Sequence, residues 1–220
     1  MSTWAIGDVH GCARTLDALL AALPGGAPLV FVGDYVDRGP DSPGVLDRLV
    51  ALGQERPCVF LRGNHDRMLL DYVDGAMDAE ELSLWTQQNG GDTTLRQYEQ
   101  RGGIPRAHAD FLRATQLFHE AEGAAFVHAG LDPYRRVDEQ LAQPDAFALM
   151  WRRDHLDVLP SARAWERPVV CGHTPHAEPL DQPNLVLVDT GVFRPASVGF
   201  GRLTAVEMPQ RRFVSVPNAD

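Results

Sequence analysis

The sequence predicts an α/β fold: a largely parallel sheet early, a mostly helical insert around residues 75–122, and a second, mixed or antiparallel sheet late. Three observations carry this. Six short apolar runs stop abruptly at polar residues, each too short for a helix. Helical periodicity fills the gaps between the first three runs. After residue 168 the runs return without long helices between them.

In chain order, strands are predicted at TWAI (3–6), PLVFV (28–32), CVFL (58–61), AAFV (124–127), PVVC (168–171) and LVLV (185–188). Residues 11–23 place Cys12, Leu16, Leu19, Leu20 and Leu23 at helical spacing. Residues 42–52 repeat the pattern through Val45, Leu46, Leu49 and Val50, with Ser42 placed to cap and Pro43 in the first turn. Residues 66–73 form a third helix offering Met68, Leu69, Leu70 and Tyr72 for packing. Strand alternating with helix argues for right-handed βαβ units. The insert is closed by Gly-Gly pairs and holds a helix over 107–117. Its Trp85 and Gln87-Gln88-Asn89-Gly90-Gly91 fit a pocket rim or, equally, helix packing and a turn. There is no internal repeat or long linker, so residues 1–220 read as one domain.

A chain of 220 residues can bury a core without disulfides or structural zinc. Its net charge of −10 and the lack of a basic stripe exclude a general nucleic-acid backbone binder, but leave room for a single phosphate pocket. Most acidic residues read as solvated surface. Cys12, Cys58 and Cys171 form no CxxC pair and lie in or beside apolar stretches, as small core residues of a reducing compartment do. The first residues carry no secretory pattern, and no apolar run approaches the roughly 20 residues of a membrane helix. A cytoplasmic protein is expected. Nothing in the pattern sets an oligomeric state.

The telling feature is the polar segment at the end of each strand. TWAI runs into Gly7-Asp8-Val9-His10, PLVFV into Gly33-Asp34-Tyr35-Val36-Asp37-Arg38-Gly39, and CVFL into Arg62-Gly63-Asn64-His65-Asp66. AAFV runs into His128-Ala129-Gly130 and PVVC into Gly172-His173-Thr174. In α/β folds, ligands sit at the carboxyl ends of strands. Asp8 and His10 are two apart, so on an extended segment they point the same way and one ion could take both. Imidazole with carboxylate and amide oxygen suits Mn, Fe, Zn or Ni better than Ca. Two divalent ions about 3.5–4 Å apart need a shared carboxylate, and Asp34 is the natural bridge. Singly, each residue could be a turn carboxylate, an Asx-turn or a hydrogen-bonded histidine. Five such coincidences at five strand ends are a poor account of the pattern.

In combination and order, these motifs resemble the calcineurin-like metallophosphoesterases, and more narrowly the phosphoprotein phosphatases, especially their short bacterial and phage members. They span residues 7–174. The resemblance implies two packed sheets flanked by helices. It implies one metal on Asp8, His10 and Asp34, and a second on Asp34, Asn64, His128 and His173. Manganese is the expected activator, with iron or zinc as alternatives. His65 is implied as general acid paired with Asp37, and Arg38 as a phosphate ligand. A second phosphate-binding arginine comes after a tryptophan, here Trp151. Alignment by that tryptophan favours Arg153 and leaves Arg152 open. Arg62 is a weaker candidate neighbour of the phosphate. Asp189 reads as a turn or supporting hydrogen-bonding residue, and His108, His119, His155 and His176 as surface or packing residues.

The implied chemistry answers two difficulties of the reaction. A phosphate monoester repels nucleophiles and has a poor alkoxide leaving group. Two cations would create a bridging hydroxide near neutral pH and screen the phosphoryl oxygens, with the arginines adding bidentate donors. An acid opposite the attacking hydroxide would serve the leaving group, and a carboxylate partner favours a protonated imidazole there. Direct in-line transfer to water is expected. The intact Asp37-Arg38 pair and short length favour a serine/threonine protein phosphatase acting on phosphoproteins. The alternative is a dinucleoside polyphosphate hydrolase, whose symmetrical members often alter that Asp and are longer. A non-enzymatic binding module should have lost a ligand, the acid or an arginine, and none is missing.

Overall fold

The computed structural model describes residues 2–220. The strands are β1 (Thr3–Ile6), β2 (Leu29–Phe31), β3 (Cys58–Phe60), β4 (Phe118–Ala121), β5 (Ala124–Val127), β6 (Val169–Cys171), β7 (Leu180–Gln182), β8 (Leu185–Leu187), β9 (Arg202–Met208) and β10 (Arg212–Pro217). The helices are α1 (Ala13–Ala22), α2 (Ser42–Glu55), α3 (Asn64–Val73), α4 (Ala79–Gln88), α5 (Gly91–Gln100), α6 (Arg106–Ala114), α7 (Val137–Ala142) and α8 (Ala146–Trp151). All six strands expected from the apolar runs form, each within a residue or so of its expected bounds.

Two five-stranded sheets result, ordered β10-β9-β1-β2-β3 and β4-β5-β6-β8-β7. Both are mixed. β1, β2 and β3 run parallel, as do β5, β6 and β8, and the outer strands are antiparallel. Successive strand residues face opposite sides, and that alternation builds the layers. Ala5, Val30 and Val32 of the first sheet and its loops meet Phe126, Val170 and Val186 of the second in one apolar cluster. Their chain neighbours Ile6, Leu29 and Phe31 turn the other way, onto Leu16, Leu19, Leu46 and Leu49 of α1 and α2. On the far side, Val127, Val169 and Leu187 pack with Leu141 and Leu149 of α7 and α8. The order is helix, sheet, sheet, helix.

Three expectations change. The chain after residue 168 does not stay in the second sheet, because β9 and β10 return to the first, with β9 beside β1. From Leu203 to Met208, β9 is buried on both faces, and a strand covered on both sides belongs inside a sheet. Ser42 does not cap α2. Asp41 does, its carboxylate accepting from Gly44 N at 2.9 Å, while Ser42 Oγ accepts from Asp37 N at 3.0 Å. The insert is helical through α4, α5 and α6, but ends in a strand, β4. Cys12 and Cys171 are buried, Cys58 is half-buried, and all three are free thiols.

Candidate metal centre

The loops after β1, β2, β3, β5 and β6 bring Asp8, His10, Asp34, Asn64, His65, His128 and His173 together, and all seven are buried. Holding them takes unusual backbone. His10, Asp34, Asp37, Arg38 and His173 all have φ between 42° and 72°, the left-handed region. Among the described residues only Glu122 and Arg211 share this without glycine. Such positions cost of order 1–3 kcal/mol each and persist where surrounding structure enforces them. Asp66 is one enforcer: its carboxylate accepts from Asp34 N at 2.8 Å, Tyr35 N at 2.9 Å and Gly63 N at 2.9 Å. It fastens the β2 loop to the start of α3. Gly33 (φ 114°) is required as well, since a Cβ there would lie 2.9 Å from His128 Nδ1.

Two groups of donor atoms could each hold a cation: His10, Asp34 and His65, and Asp34, His128 and His173. Asp34 belongs to both. His10 Nδ1 donates to Val36 O at 2.9 Å, and His128 Nδ1 to Val32 O at 3.0 Å. Each bond fixes the tautomer and leaves the Nε2 lone pair facing the centre. Around His128 Nε2 stand Asn64 Oδ1 at 3.0 Å, His173 Nδ1 at 3.2 Å and Asp34 Oδ1 at 3.4 Å. Burial holds both imidazoles below their ordinary range, and burial with the neighbouring His128 takes His173 down to about 2. Neutral rings cannot supply the charge that these converging acceptors demand. His173 Nε2 is also buried without a hydrogen-bond partner.

Asp8 and Asp189 make the same point, while, despite burial, the surrounding histidines hold Asp34 below the usual carboxylate range. Burial, then Asp189 and Asp34, push Asp8 well above the usual carboxylate range. Burial, with Asp34 nearby, takes Asp189 up to about 6. Crowded buried carboxylates facing imidazole lone pairs need cations. The residues present therefore fit divalent metal ions.

Asp8, in the loop after β1, is buried with the same cluster and feels the charge of Asp34. Its oxygens accept from His173 N at 3.2 and 3.0 Å. β1 ends at Ile6 and His10 turns left-handed, so the two-residue alternation of an extended strand does not extend across Asp8 and His10.

Beside these groups lies a proton-handling assembly. His65 Nδ1 donates to Asp37 Oδ2 at 2.7 Å, and both residues are buried. Trp85 Nε1 donates to the same oxygen at 2.7 Å, and Thr94 Oγ1 donates to Asp37 Oδ1 at 2.7 Å. Trp85 and Thr94 come from the helical insert. Arg38 Nη1 lies 2.8 Å from His10 Nε2, and its Cζ lies 4.7 Å from the ring centroid of Phe193. Arg153 feels the charges of Asp34 and Asp8. Arg152 turns to Asp154, with Nη1 donating at 3.0 Å. Of the two arginines after Trp151, Arg153 is the one that shares the electrostatics of the centre.

Arg62 is corrected. Its guanidinium donates to Thr115 Oγ1 and to the carbonyls of Leu112, Arg113 and Thr115, tying down the end of α6 rather than facing the centre. Asp189 accepts from Gly191 N at 2.8 Å, the turn role expected of it. His108 is a packing residue between Tyr98 and Asp47. Asp66, Thr94 and Phe193 support the site without standing out in the sequence, and Trp85 proves to be part of it. Only Asp66, three residues after Gly63 at a helix start, carries a local capping signal.

A loop-borne cluster of side chains able to hold metal ions, at the ends of two packed sheets, fits a metallophosphoesterase. The chain belongs to the calcineurin-like phosphoesterase family, which it matches over residues 1–205. It is 29% identical to the asymmetrical bis(5'-nucleosyl)-tetraphosphatase PrpE of Anoxybacillus flavithermus, over 97% of this chain and 93% of that protein. A symmetrical bis(5'-nucleosyl)-tetraphosphatase of Ralstonia nicotianae is 43% identical, but over 37% of this chain and 34% of its own. Among solved structures, a protein provisionally assigned as a diadenosine tetraphosphatase superposes with a TM-score of 0.66 at 26% identity, covering 100% of this chain and 94% of its own. A serine/threonine phosphatase from Saccharomyces cerevisiae shares the fold, with a TM-score of 0.60 at 17% identity, covering 100% and 81%.

Proposed function

We propose that this chain hydrolyses bis(5'-nucleosyl) tetraphosphates asymmetrically, releasing a nucleoside triphosphate and a nucleoside monophosphate. One observation carries the reading. Along 97% of its length the chain is similar to an asymmetrical tetraphosphatase, at 29% identity. Short length and an intact Asp37 favour a protein phosphatase only over symmetrical tetraphosphatases, which are longer and often alter the Asp before Arg38. Neither objection touches the asymmetrical relatives. The alternative therefore becomes the first choice, and phosphoprotein hydrolysis the reading to test against it.

Asp8, His10 and Asp34 would hold one cation, and Asp34, Asn64, His128 and His173 the other. Bound there, two divalent ions would offset the charge of the phosphoryl oxygens and acidify a water for attack on phosphorus. Manganese is the first to supply, with iron and zinc as alternatives. Arg38 and Arg153 bind and orient the phosphate chain through bidentate donors. Asp37 holds the proton on His65 Nδ1 and aims Nε2, 3.9 Å from Asp34 Oδ2, toward the leaving oxygen. His65 Nε2 gives its proton to that oxygen. The free thiols suit a reducing compartment such as the cytoplasm. Among the described residues no helix is long and apolar enough to cross a membrane.

The test is a substrate panel at matched manganese: diadenosine tetraphosphate, a phosphoserine peptide and para-nitrophenyl phosphate, with nucleotide products resolved by chromatography. ATP with AMP is expected in equal amounts. Two ADP would mean symmetrical cleavage, and a large preference for the peptide would restore the phosphatase reading.

A further inference from the structure

A groove of about 580 Å³ opens directly beside the metal centre, between α3, α4 and α8. Asn64 lines it, so the groove and the centre share a wall. Its other walls include Met68, Leu84, Phe147, Met150 and Trp151. Phe147 is 70% exposed, a large aromatic ring at the rim. It stacks on Trp151, with centroids 6.1 Å apart and planes 21° from parallel. Trp151 in turn meets His173 edge-on, centroids 6.1 Å apart. A flat aromatic surface thus leads from solvent to a residue of the centre.

We propose that this groove seats one nucleobase of the dinucleotide, stacked on Phe147 and Trp151, while the phosphate chain crosses the metal centre. The inference rests on the dinucleotide reading of the site. A volume of this size lies within the ordinary range for small-molecule sites. Every base has a π face, so aromatic stacking binds bases without demanding one sequence. The continuity through Asn64 and Trp151 selects this occupant, because a base here is joined by its ribose to a phosphate at the centre.

The test uses Phe147→Ala, Phe147→Leu and Phe147→Trp in the manganese-supplemented protein. Phe147 is exposed, so all three should fold, and circular dichroism checks this. With diadenosine tetraphosphate, the Ala and Leu variants should raise KM on the order of 10-fold, the loss of one stacked base, and leave kcat unchanged. The Trp variant should stay near the parent. By calorimetry, AMP should weaken on the Ala variant to a similar degree, while ribose 5-phosphate, which lacks the base, should not. An unchanged KM in Phe147→Ala overturns the inference and leaves the dinucleotide reading standing. Parental behaviour of Phe147→Leu overturns stacking in favour of a general apolar seat, as a peptide side chain would use. If the parent protein does not cleave the dinucleotide at all, the reading fails and the inference falls with it.

Discussion

The indole Nε1 of Trp85 donates to Asp37 Oδ2 at 2.7 Å, the same oxygen that accepts His65 Nδ1 at 2.7 Å. One carboxylate oxygen thus joins the helical insert to the proposed proton donor. Trp85 acts through Asp37 as a positioning residue. Removing a donor to a buried charged group costs about 1.5–3 kcal/mol. In Trp85→Phe, kcat on a phosphate monoester with a poor leaving group should fall by roughly 10-fold or more, with KM and metal content unchanged. Thr94→Val, which removes the donor to the other oxygen, should act in the same direction. Loss of metal or a change confined to KM would show that Trp85 supports the fold alone.

His65 should matter unequally between substrates. The leaving group in a tetraphosphate is a phosphate, which departs far more readily than a serine alkoxide. General acid catalysis contributes about 10²–10⁴-fold where it is needed. His65→Asn should therefore reduce turnover of an alkyl phosphate monoester toward that full range, and reduce cleavage of diadenosine tetraphosphate and para-nitrophenyl phosphate much less. Metal content measured by plasma spectrometry should stay at the parental level. Equal losses on all three substrates would remove His65 from the proton-transfer role. Loss of metal would place it among the ligands, where its proximity to His10 and Asp34 makes the question a real one.

Asp34 stands in both donor groups, with His10 Nε2 3.6 Å from Oδ2 and His128 Nε2 3.4 Å from Oδ1. Asp34→Asn keeps the size and removes the charge. Both cations should then be lost or greatly weakened, and thermal stability should no longer respond to added manganese, since ligand-linked stabilisation tracks occupancy. Two ions still bound per chain would sink the shared-carboxylate assignment.

Much of this arrangement is legible in the sequence because it rests on short-range signals. An apolar run that stops at Gly-Asp, Gly-His or a bare His announces both a strand and what the strand end presents, and Asp34, His173 and His128 are found that way. His65 and Asp37, 28 positions apart, are paired only through the resemblance, and the structure brings their side chains within 2.7 Å. The hidden part depends on direction. Nothing local says that β9 enters the first sheet, because a strand's partner is chosen by which faces remain to be covered. Nothing local says that His10 or His173 adopts a left-handed backbone, since the surrounding contacts enforce it. The same holds for Trp85: an indole in a helix looks like core, and its donor becomes informative only once Asp37 lies beneath it.

His155 is a buried ring that the chemistry does not use, and it should govern acid stability. Neither ring nitrogen has a hydrogen-bond partner among the described residues, and the ring centroid lies 5.7 Å from that of Trp165. Burial, reinforced by Arg163 and Arg152, holds it down to about 3, against 6.5 in the unfolded chain. Above pH 6.5 the ring is neutral in both states and costs nothing. Below it the unfolded chain binds a proton that the fold resists, so stability declines as the pH falls from 6.5 toward 3. Linkage sets this loss at about 2 kcal/mol between pH 7 and pH 5. His155→Phe keeps a flat ring in the site and removes the titration. Denaturant unfolding at the two pH values should show a smaller drop for the variant than for the parent, by about 2 kcal/mol. An identical drop in both proteins would show that His155 already reaches a proton in the folded state.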